Sequence, residues 1–401
     1  MHEKKIVFIT EDIFGDSVGG VEQHIFNISK ELSLSGFDIT IIALQASNQD
    51  KRIEKVINID ACSIKLINIK KKNLFYDLIK KLESKFTGNL GFLAALLGKL
   101  LPNIHFKTLI KEVKKLKPDI VHQHDYLANI IASKKLSKIY PIVFTNHTGQ
   151  YLFLEKTIIG RMIQKQLISH YKTIIGPSRE LTPNNNNSIF IPNGVDTNLF
   201  NGERYIKYSN KIVFICPRRW APTKGIKFLA EAIVALPENI RDKCIFLFAG
   251  SDSNDYPKYA EEVEKILQST SSDCCKLLGN LNQNQLKDAF LHSDVVIIPS
   301  LMEATSLAAM EGMSCGLPVL STNVGGMPDV VINKDLGWLV EPKNPIPIKD
   351  VIIDIANKKY NLEKMGSLSK AFVNQNRSWE EIAKRVKNIY VDILIREEVI
   401  K

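Results

Sequence analysis

The most informative part of the sequence is DVVIIPSLMEATSLAAMEGMSCGLPVLSTNVGGMPDV, which occupies residues 294–330. The apolar run at residues 295–298 has the length of a buried strand. Thr305 and Ser306 are suited to cap a helix, and Gly316 is typical of a helix end. A second apolar run follows, so the stretch predicts a strand, a short helix and a further strand of a parallel sheet.

Two carboxylates in this stretch predict a binding site. Glu303 precedes the helix, and Glu311 lies on a helical face whose other residues are Ala and Leu. A carboxylate on such an apolar face is costly unless another group hydrogen-bonds it. A lone glutamate in a helix more often bends out to solvent. The spacing to Glu303 and the Gly-rich return at Gly325-Gly326 favour a ligand that satisfies Glu311.

Length and composition indicate a two-domain globular protein. A chain of 401 residues is too long for one ordinary core, and its 45% hydrophobic and 24% charged content is typical of globular proteins. No window reaches the roughly 18 apolar residues of a membrane-spanning helix. The N-terminal MHEKKIVFIT lacks a signal-peptide pattern, so we expect a cytoplasmic location. The six cysteines include no Cys-x-x-Cys pair, which disfavours a disulfide framework and a zinc site.

The first half of the chain alternates strands and helices. Residues 4–10 predict a strand, a helix runs from Gly19-Gly20 to Leu34, and residues 37–44 predict the next strand. The connecting loop contains GDSVGG, which is not the Gly-x-Gly-x-x-Gly fingerprint of dinucleotide sites. A Gly pair at a helix start exposes backbone N–H groups that suit an anion. A simple turn is the alternative.

Histidines and cations stand near further strand ends. Two successive predicted strands lead to His124 and His147, at the edge where open α/β sheets bind ligands. A lone histidine is more often structural, but the polar surroundings of His147 favour a role for that residue. The pattern restarts with KIVFICPRR, a predicted strand that ends in the cations Arg218 and Arg219, with Lys224 five residues after Arg219. Cations and helix amides neutralise phosphates, and a carboxylate accepts ribose hydroxyls, so the set suits a nucleotide diphosphate that carries a sugar.

The motifs of the chain resemble, in order, those of the family 4 retaining glycosyltransferases, which have the GT-B fold. The most specific is Glu303-x7-Glu311 with the following GMSCGLPVLSTNVGGMPDVV. Supporting motifs are GGVEQHIFNISKELSLSGFDITII, PDIVHQHD, IPNGVD, Arg219…Lys224 and the terminal SWEEIAKRV. Together they extend over almost the whole chain.

The resemblance implies an α/β architecture of two Rossmann-like, doubly wound domains that face a central cleft. The N-terminal, acceptor-side domain is expected at residues 1–200. The C-terminal domain, at 201–377, is expected to bind the nucleotide-sugar donor. A helix at about 378–401 is expected to cross back onto the first domain.

The resemblance assigns the donor phosphates to cations and backbone amides. Arg219 and Lys224 match the pair that binds the donor diphosphate. The resemblance assigns the remaining phosphate contacts to backbone groups of Gly19, Gly20, Thr305, Ser306 and Leu307. The family often has Gly-Phe-Gly-Leu after the first glutamate, where this chain has Ala-Thr-Ser-Leu. That difference bears on the donor sugar rather than on the phosphate site.

The resemblance assigns the contacts with the donor sugar and the ribose to three side chains. Glu311 matches the ribose-binding carboxylate, Glu303 matches the one near the reacting centre, and His147 matches the histidine that faces the donor sugar. With Arg219 and Lys224, Glu303 and His147 form the expected catalytic set.

The implied reaction is retaining transfer of a hexose-type sugar from a UDP- or GDP-sugar to a hydroxyl. The acceptor would be a surface polysaccharide, a lipid-linked oligosaccharide or a glycolipid. No Asp-x-Asp occurs in the chain, so no metal and no other cofactor is expected. The alternatives are a nucleotide-sugar epimerase, a phosphorylase and a non-catalytic partner protein that binds sugar nucleotides. The missing dinucleotide fingerprint disfavours a dehydrogenase.

The net charge of +10 is concentrated in one segment. Residues 65–117 hold 13 Lys and three acidic residues, whereas the rest of the chain is balanced. Residues 74–117 predict two helices, and the apolar run at 88–104 is flanked by lysines. Such a segment suits an anionic membrane surface and a peripheral location on the inner face of the cell membrane. A helix packed within the domain is the alternative, and nucleic acid is not expected because no aromatic interleaving accompanies the lysines.

Overall fold

The computed structural model describes residues 3–11, 20–45, 53–59, 62–70, 106–124, 129–147, 158–204, 211–250, 256–269 and 274–400. The chain divides into two compact units. Unit 1 comprises Met1–Pro192 and Ile382–Lys401, and unit 2 comprises Asn193–Glu381.

Unit 1 is built on one eight-stranded sheet. Its strands are β1 (Lys4–Glu11), β2 (Phe37–Gln45), β3 (Ile53–Ile59), β4 (Cys62–Lys70), β5 (Ile120–Gln123), β6 (Ile142–Thr145), β7 (Thr173–Gly176) and β8 (Ser188–Phe190). They lie in the order β3-β4-β2-β1-β5-β6-β7-β8, and every neighbouring pair is parallel except β3 and β4. The chain order reverses beside β1, which pairs with β2 on one side and β5 on the other. Ligands of open α/β sheets bind at such a reversal, beyond the carboxyl ends of the strands.

The helices of unit 1 cover a strongly apolar sheet. They are α1 (Gly20–Leu34), α2 (Phe106–Leu116), α3 (Ile130–Leu136) and α4 (Ile158–Ile168). Val7, Ile9, Val121 and Phe144 from the central strands are buried together in one cluster. Burial on both faces explains why these strands are almost entirely apolar rather than alternating.

Unit 2 repeats the same design with six parallel strands. They are β9 (Ile212–Cys216), β10 (Cys244–Ala249), β11 (Cys275–Gly279), β12 (Val295–Ile298), β13 (Val319–Thr322) and β14 (Gly337–Val340). Their order is β11-β10-β9-β12-β13-β14, so the reversal lies between β9 and β12. The segments that follow these two strands are therefore neighbours at the carboxyl edge.

The helices of unit 2 join successive strands and then lead to the C-terminus. They are α5 (Ile226–Val234), α6 (Glu238–Arg241), α7 (Pro257–Gln268), α8 (Gln283–Leu291), α9 (Leu307–Ser314), α10 (Met327–Val330), α11 (Pro345–Ala356) and α12 (Leu362–Asn376). The last helix is α13 (Trp379–Ile400), whose first three residues belong to unit 2 and the rest to unit 1. Within unit 1, the Tyr390 hydroxyl of α13 is hydrogen-bonded to His122 Nδ1 at 2.6 Å. Among the described residues, no helix combines the length and the apolar character needed to cross a membrane.

The structure confirms the α/β class and the predicted strand–helix–strand order at residues 294–330. It adds the antiparallel pair β3 and β4, for which residues 54–69 offered no clear periodicity. Of the two helices predicted over residues 74–117, the structure describes α2. The apolar run at 88–104 lies outside the described residues.

Candidate active site

The carboxyl edge of unit 2 brings Lys224 close to the loop that follows β12. Lys224 ends a 3₁₀ turn, Pro222–Lys224, and Gly225 follows with φ +66°. A Cβ at Gly225 would lie 1.9 Å from the carbonyl oxygen of Pro299, so only glycine allows this approach. The Leu301 N–H donates to the Thr223 carbonyl at 2.8 Å and joins the turn to the loop.

Glu303 lies in that loop and is held by two cations. Its carboxylate accepts hydrogen bonds from Arg218 Nη2, from Lys224 Nζ at 3.0 Å and from Ser300 Oγ at 3.1 Å. The Glu303 side chain is 11% exposed, and that of Arg218 is 10% exposed. Burial alone would raise the pKa of Glu303, but Arg218 and Lys224 outweigh it and hold that pKa below its ordinary value. Glu303 is therefore ionised at neutral pH.

The cluster has an excess of positive charge. Arg218 and Lys224 carry two positive charges against the single charge of Glu303, and the exposed side chain of Arg219 is adjacent in sequence. Burial lowers the pKa of Lys224, and the charge of Arg218 lowers it further, while Glu303 opposes both effects. An anion placed against these side chains would relieve the repulsion between the two cations.

The amino terminus of α9 lies beside the same arginine. Ser306 is the N-cap, and its hydroxyl accepts a hydrogen bond from the Ala309 N–H at 3.3 Å. Arg218 Nη1 donates to the same hydroxyl at 3.4 Å. Thr305 and Ser306 are buried, and Leu307 begins the helix. Free N–H groups and the helix dipole make such an end suitable for an anion.

Glu311 lies one turn into α9 and is buried, with 8% of the residue exposed. Burial raises its pKa to about 7, and the positive charge of Arg218 offsets only part of this effect. Among the described residues, none donates a hydrogen bond to its carboxylate. A buried carboxylate without a hydrogen-bond donor is stabilised most by a ligand whose hydroxyl groups donate to it.

Unit 1 carries histidines at the corresponding edge of its own sheet. His124 follows β5, His147 follows β6, and His24 lies on the buried face of α1. His124 Nδ1 and His147 Nε2 are 3.1 Å apart. Burial lowers the pKa of both His124 and His147, so both rings are neutral at pH 7.

Two family models match consecutive parts of the chain. The model described as Glycosyltransferase Family 4 matches residues 18–199, and that described as Glycosyl transferases group 1 matches residues 200–379. The structure of Anabaena HepE in complex with UDP is similar at a TM-score of 0.69 and 16% identity, covering 97% of this chain and all of that one. The chain is a family 4 glycosyltransferase with the GT-B fold.

Two curated relatives of this glycosyltransferase extend the comparison. An uncharacterized glycosyltransferase of Methanocaldococcus jannaschii is 26% identical over 69% of this chain and 76% of the relative. A component of the phosphatidylinositol N-acetylglucosaminyltransferase of Arabidopsis thaliana is 24% identical over 96% of this chain and 81% of the relative. At these identities the relatives support the family and not a particular substrate.

The residues singled out in the sequence of the glycosyltransferase fall into three groups. Unit 2 brings together Lys224, Glu303, Thr305, Ser306, Leu307 and Glu311. Arg219 follows β9 as expected, but its side chain is exposed. His147 lies in unit 1, where Gly20 begins α1, and Gly19 lies outside the described residues.

Sequence reasoning assigned Arg219 rather than Arg218 to the site, and it missed His24. Arg218, not Arg219, contacts Glu303 and Ser306, and the sequence gives two adjacent arginines without indicating which one turns inward. His24 lies on the same helical face as Ile28 and Leu32, and all three are buried. That spacing was the available signal for His24, because a polar residue on an apolar helical face needs a partner.

Proposed function

We propose that this glycosyltransferase moves a hexose-type sugar from a nucleotide-diphosphate sugar to a hydroxyl acceptor, with retention of anomeric configuration. The observation that carries the proposal is the cluster of Arg218, Lys224 and Glu303 beside the amino terminus of α9. It lies where the strand order of unit 2 reverses, which is where open α/β sheets bind nucleotides. The relative HepE is in complex with UDP, which makes a UDP-sugar the first donor to test.

The diphosphate would bind where positive charge and free amides converge. Arg219, Lys224 and the amides of Thr305 to Leu307 are assigned to the phosphates, as are Gly19 and Gly20. Arg218 joins this set because its guanidinium contacts both Glu303 and the helix cap. Arginine suits the role, since its planar group pairs with two phosphate oxygens at once.

The ribose would satisfy Glu311. Its carboxylate is buried and has a raised pKa, so accepting two ribose hydroxyls would stabilise the ionised form. Glu303 and His147 are assigned to the donor sugar. A donor phosphate would draw Arg218 and Lys224 partly away from Glu303, which frees a carboxylate for sugar hydroxyls.

The chemistry follows from the charges of the site. The sugar leaves its diphosphate through an oxocarbenium-like transition state, and negative charge develops on the departing phosphate. Once the donor is bound, Arg218, Lys224 and the α9 amides stabilise that charge without further reorganisation, which is often the largest contribution to catalysis. The acceptor hydroxyl attacks from the face of the leaving group, and the departing phosphate takes its proton. No metal or other cofactor is required in this scheme.

The acceptor is proposed to be lipid-linked or a growing saccharide. The exposed face of α2 carries Lys107, Lys111, Lys114 and Lys115, and it belongs to the basic segment 65–117. A basic surface of this kind would hold the enzyme on an anionic membrane as a peripheral protein. The relative in Arabidopsis is named for a phosphatidylinositol acceptor, which supports a lipid-linked substrate.

A panel of UDP-, GDP- and ADP-sugars tests the donor site by thermal stabilisation. A donor at about 100 times its dissociation constant stabilises the fold by about 2.7 kcal/mol, which is roughly 5–10 °C for a domain of about 200 residues. We expect at least one donor to give such a shift in the wild type and in Lys227→Ala. Lys227 is an exposed neighbour in an ion pair with Glu262 and serves as the control.

The Lys224→Ala variant should lose most of this stabilisation. An equal shift in Lys224→Ala, or no shift with any donor, would refute the assigned site. Incubation of the stabilising donor without an acceptor then separates a transferase from an epimerase, because only an epimerase converts the intact sugar nucleotide.

A further inference from the structure

Three histidine rings converge at the carboxyl edge of the unit 1 sheet. The ring centroids of His24 and His147 are 4.6 Å apart, those of His124 and His147 are 5.4 Å apart, and those of His24 and His124 are 5.7 Å apart. They come from three separate elements: α1, the end of β5 and the end of β6. Because β5 and β6 are parallel neighbours, the fold itself fixes this meeting point.

The ring nitrogens of these histidines are at metal-binding separations. One nitrogen from each ring lies within 4.8 Å of the other two, and His124 Nδ1 is 3.1 Å from His147 Nε2. A tetrahedral Zn²⁺ with bonds of about 2.0–2.1 Å holds its ligand nitrogens about 3.3 Å apart. The His124–His147 pair is already close to that spacing. Side-chain rotations that move a nitrogen by up to about 1.5 Å would bring His24 into range.

The hydrogen bonding of the cluster is incomplete. His124 Nε2 is buried and has no hydrogen-bond partner among the described residues. His122, which lies within β5, differs because Tyr390 occupies its Nδ1 and Thr145 occupies its Nε2 at 2.8 Å. A buried imidazole nitrogen without a partner is unfavourable, so protein groups do not fully satisfy the His124 ring. An ion bound at His124 Nδ1 would replace the hydrogen bond to His147.

We propose that His24, His124 and His147 form a binding site for a divalent transition-metal ion, with Zn²⁺ as the first choice. Neutral imidazole suits Zn²⁺, Co²⁺, Ni²⁺ and Cu²⁺, whereas Mg²⁺ and Ca²⁺ require oxygen ligands. Within the part of the chain that the structure describes, no carboxylate joins the cluster. Three protein ligands leave a fourth position for water or a substrate oxygen, as in catalytic rather than structural zinc sites.

The site goes beyond the proposed transfer reaction, which needs no metal. One consequence does rest on the proposed function. His147 is assigned to the donor sugar, so an ion bound to it would compete with the donor. Metal binding itself does not depend on that assignment and is measured without any sugar.

Isothermal titration of the tag-free, chelator-treated protein with Zn²⁺ tests the proposal. We expect one ion per wild-type chain and no comparable binding of Mg²⁺. His24→Ala and His124→Ala should each weaken Zn²⁺ binding at least tenfold. His170→Ala is the matched control, since His170 is a half-buried histidine of unit 1 outside the cluster and should leave the affinity unchanged. Equal affinity in all four proteins, or no binding to the wild type, would overturn the proposal.

X-ray absorption at the zinc edge decides the matter in the wild type alone, should a variant fail to fold. About three imidazole ligands per zinc would support the site. A shell made mainly of oxygen or sulfur would overturn it.

Discussion

Replacing Glu303 by glutamine should destabilise unit 2 by about 3 kcal/mol at pH 7. Glutamine keeps the shape of the side chain and an acceptor oxygen but removes the negative charge. Arg218, 10% exposed, and Lys224, 22% exposed, would then face each other without a counter-charge. Removing one partner of a buried ion pair costs about 3–5 kcal/mol, and we take the lower end because the Lys224 ammonium retains some contact with water.

The change is measurable by urea denaturation followed by tryptophan fluorescence. The three tryptophans, Trp220, Trp338 and Trp379, all belong to unit 2, so the signal reports the unit that contains the substitution. Thermal denaturation should agree, with a midpoint about 6–12 °C below that of the wild type for a domain of about 200 residues.

Glu262→Gln is the matched control for this substitution. Glu262 pairs with Lys227 at 2.6 Å, but their side chains are 49% and 34% exposed. An exposed pair contributes less than about 1 kcal/mol. A Glu303→Gln variant no less stable than Glu262→Gln would refute the view that Glu303 neutralises two buried cations.

The difference in stability between the wild type and Glu303→Gln should depend on pH. The folded protein lowers the pKa of Glu303, so its stabilising charge is fully present above the ordinary value of 4.5 and is lost as the pH falls below it. The gap between wild type and Glu303→Gln should therefore be constant near neutral pH and shrink in acid. UDP should stabilise the variant more than the wild type, because its phosphates would replace the missing counter-charge.

Further predictions concern turnover, pH, membranes and metals. Lys224→Ala should lower kcat by roughly 10²–10³ in a donor–acceptor assay, as loss of an electrostatic contact to a developing charge does, while Lys227→Ala stays near the wild type. Donor affinity should rise about tenfold between pH 6 and pH 8 as Glu311, with a pKa of about 7, ionises, and titration calorimetry on Glu311→Gln should show no such rise. In liposome flotation, the wild type should float with anionic liposomes but not with neutral ones. The double variant Lys111→Glu/Lys114→Glu should bind anionic liposomes at least tenfold more weakly, because each lysine near the surface contributes about 1 kcal/mol. Excess EDTA should not lower the transfer rate, and a loss restored by Mg²⁺ would contradict a metal-independent reaction.

The sequence was a good guide to the fold because most strands are buried on both faces. Continuous apolar runs such as Val295–Ile298 and Ile212–Cys216 are easily recognised between turn residues. The pair β3 and β4 was harder to predict, because it lies at the edge of the sheet, where Val56 is exposed and the apolar spacing is irregular.

The candidate site was only partly predictable, because the sequence does not show which side chains point toward the site. The carboxylates stood out because Glu311 lies on an apolar helical face. The choice between Arg218 and Arg219 depends on how the chain turns after β9, which no local pattern reveals. His24 and His124 meet His147 only because strand order places β5 beside β6 and α1 follows β1, and such long-range neighbours are set by topology.

The anomeric configuration of the product is the most direct test of the proposed reaction. The stabilising donor should be incubated with a hydroxyl acceptor, and the new glycosidic linkage examined by NMR through its anomeric coupling constant. We predict that the transferred sugar keeps the configuration it had in the donor. A product with the opposite configuration would contradict same-face attack at the site formed by Arg218, Lys224 and Glu303.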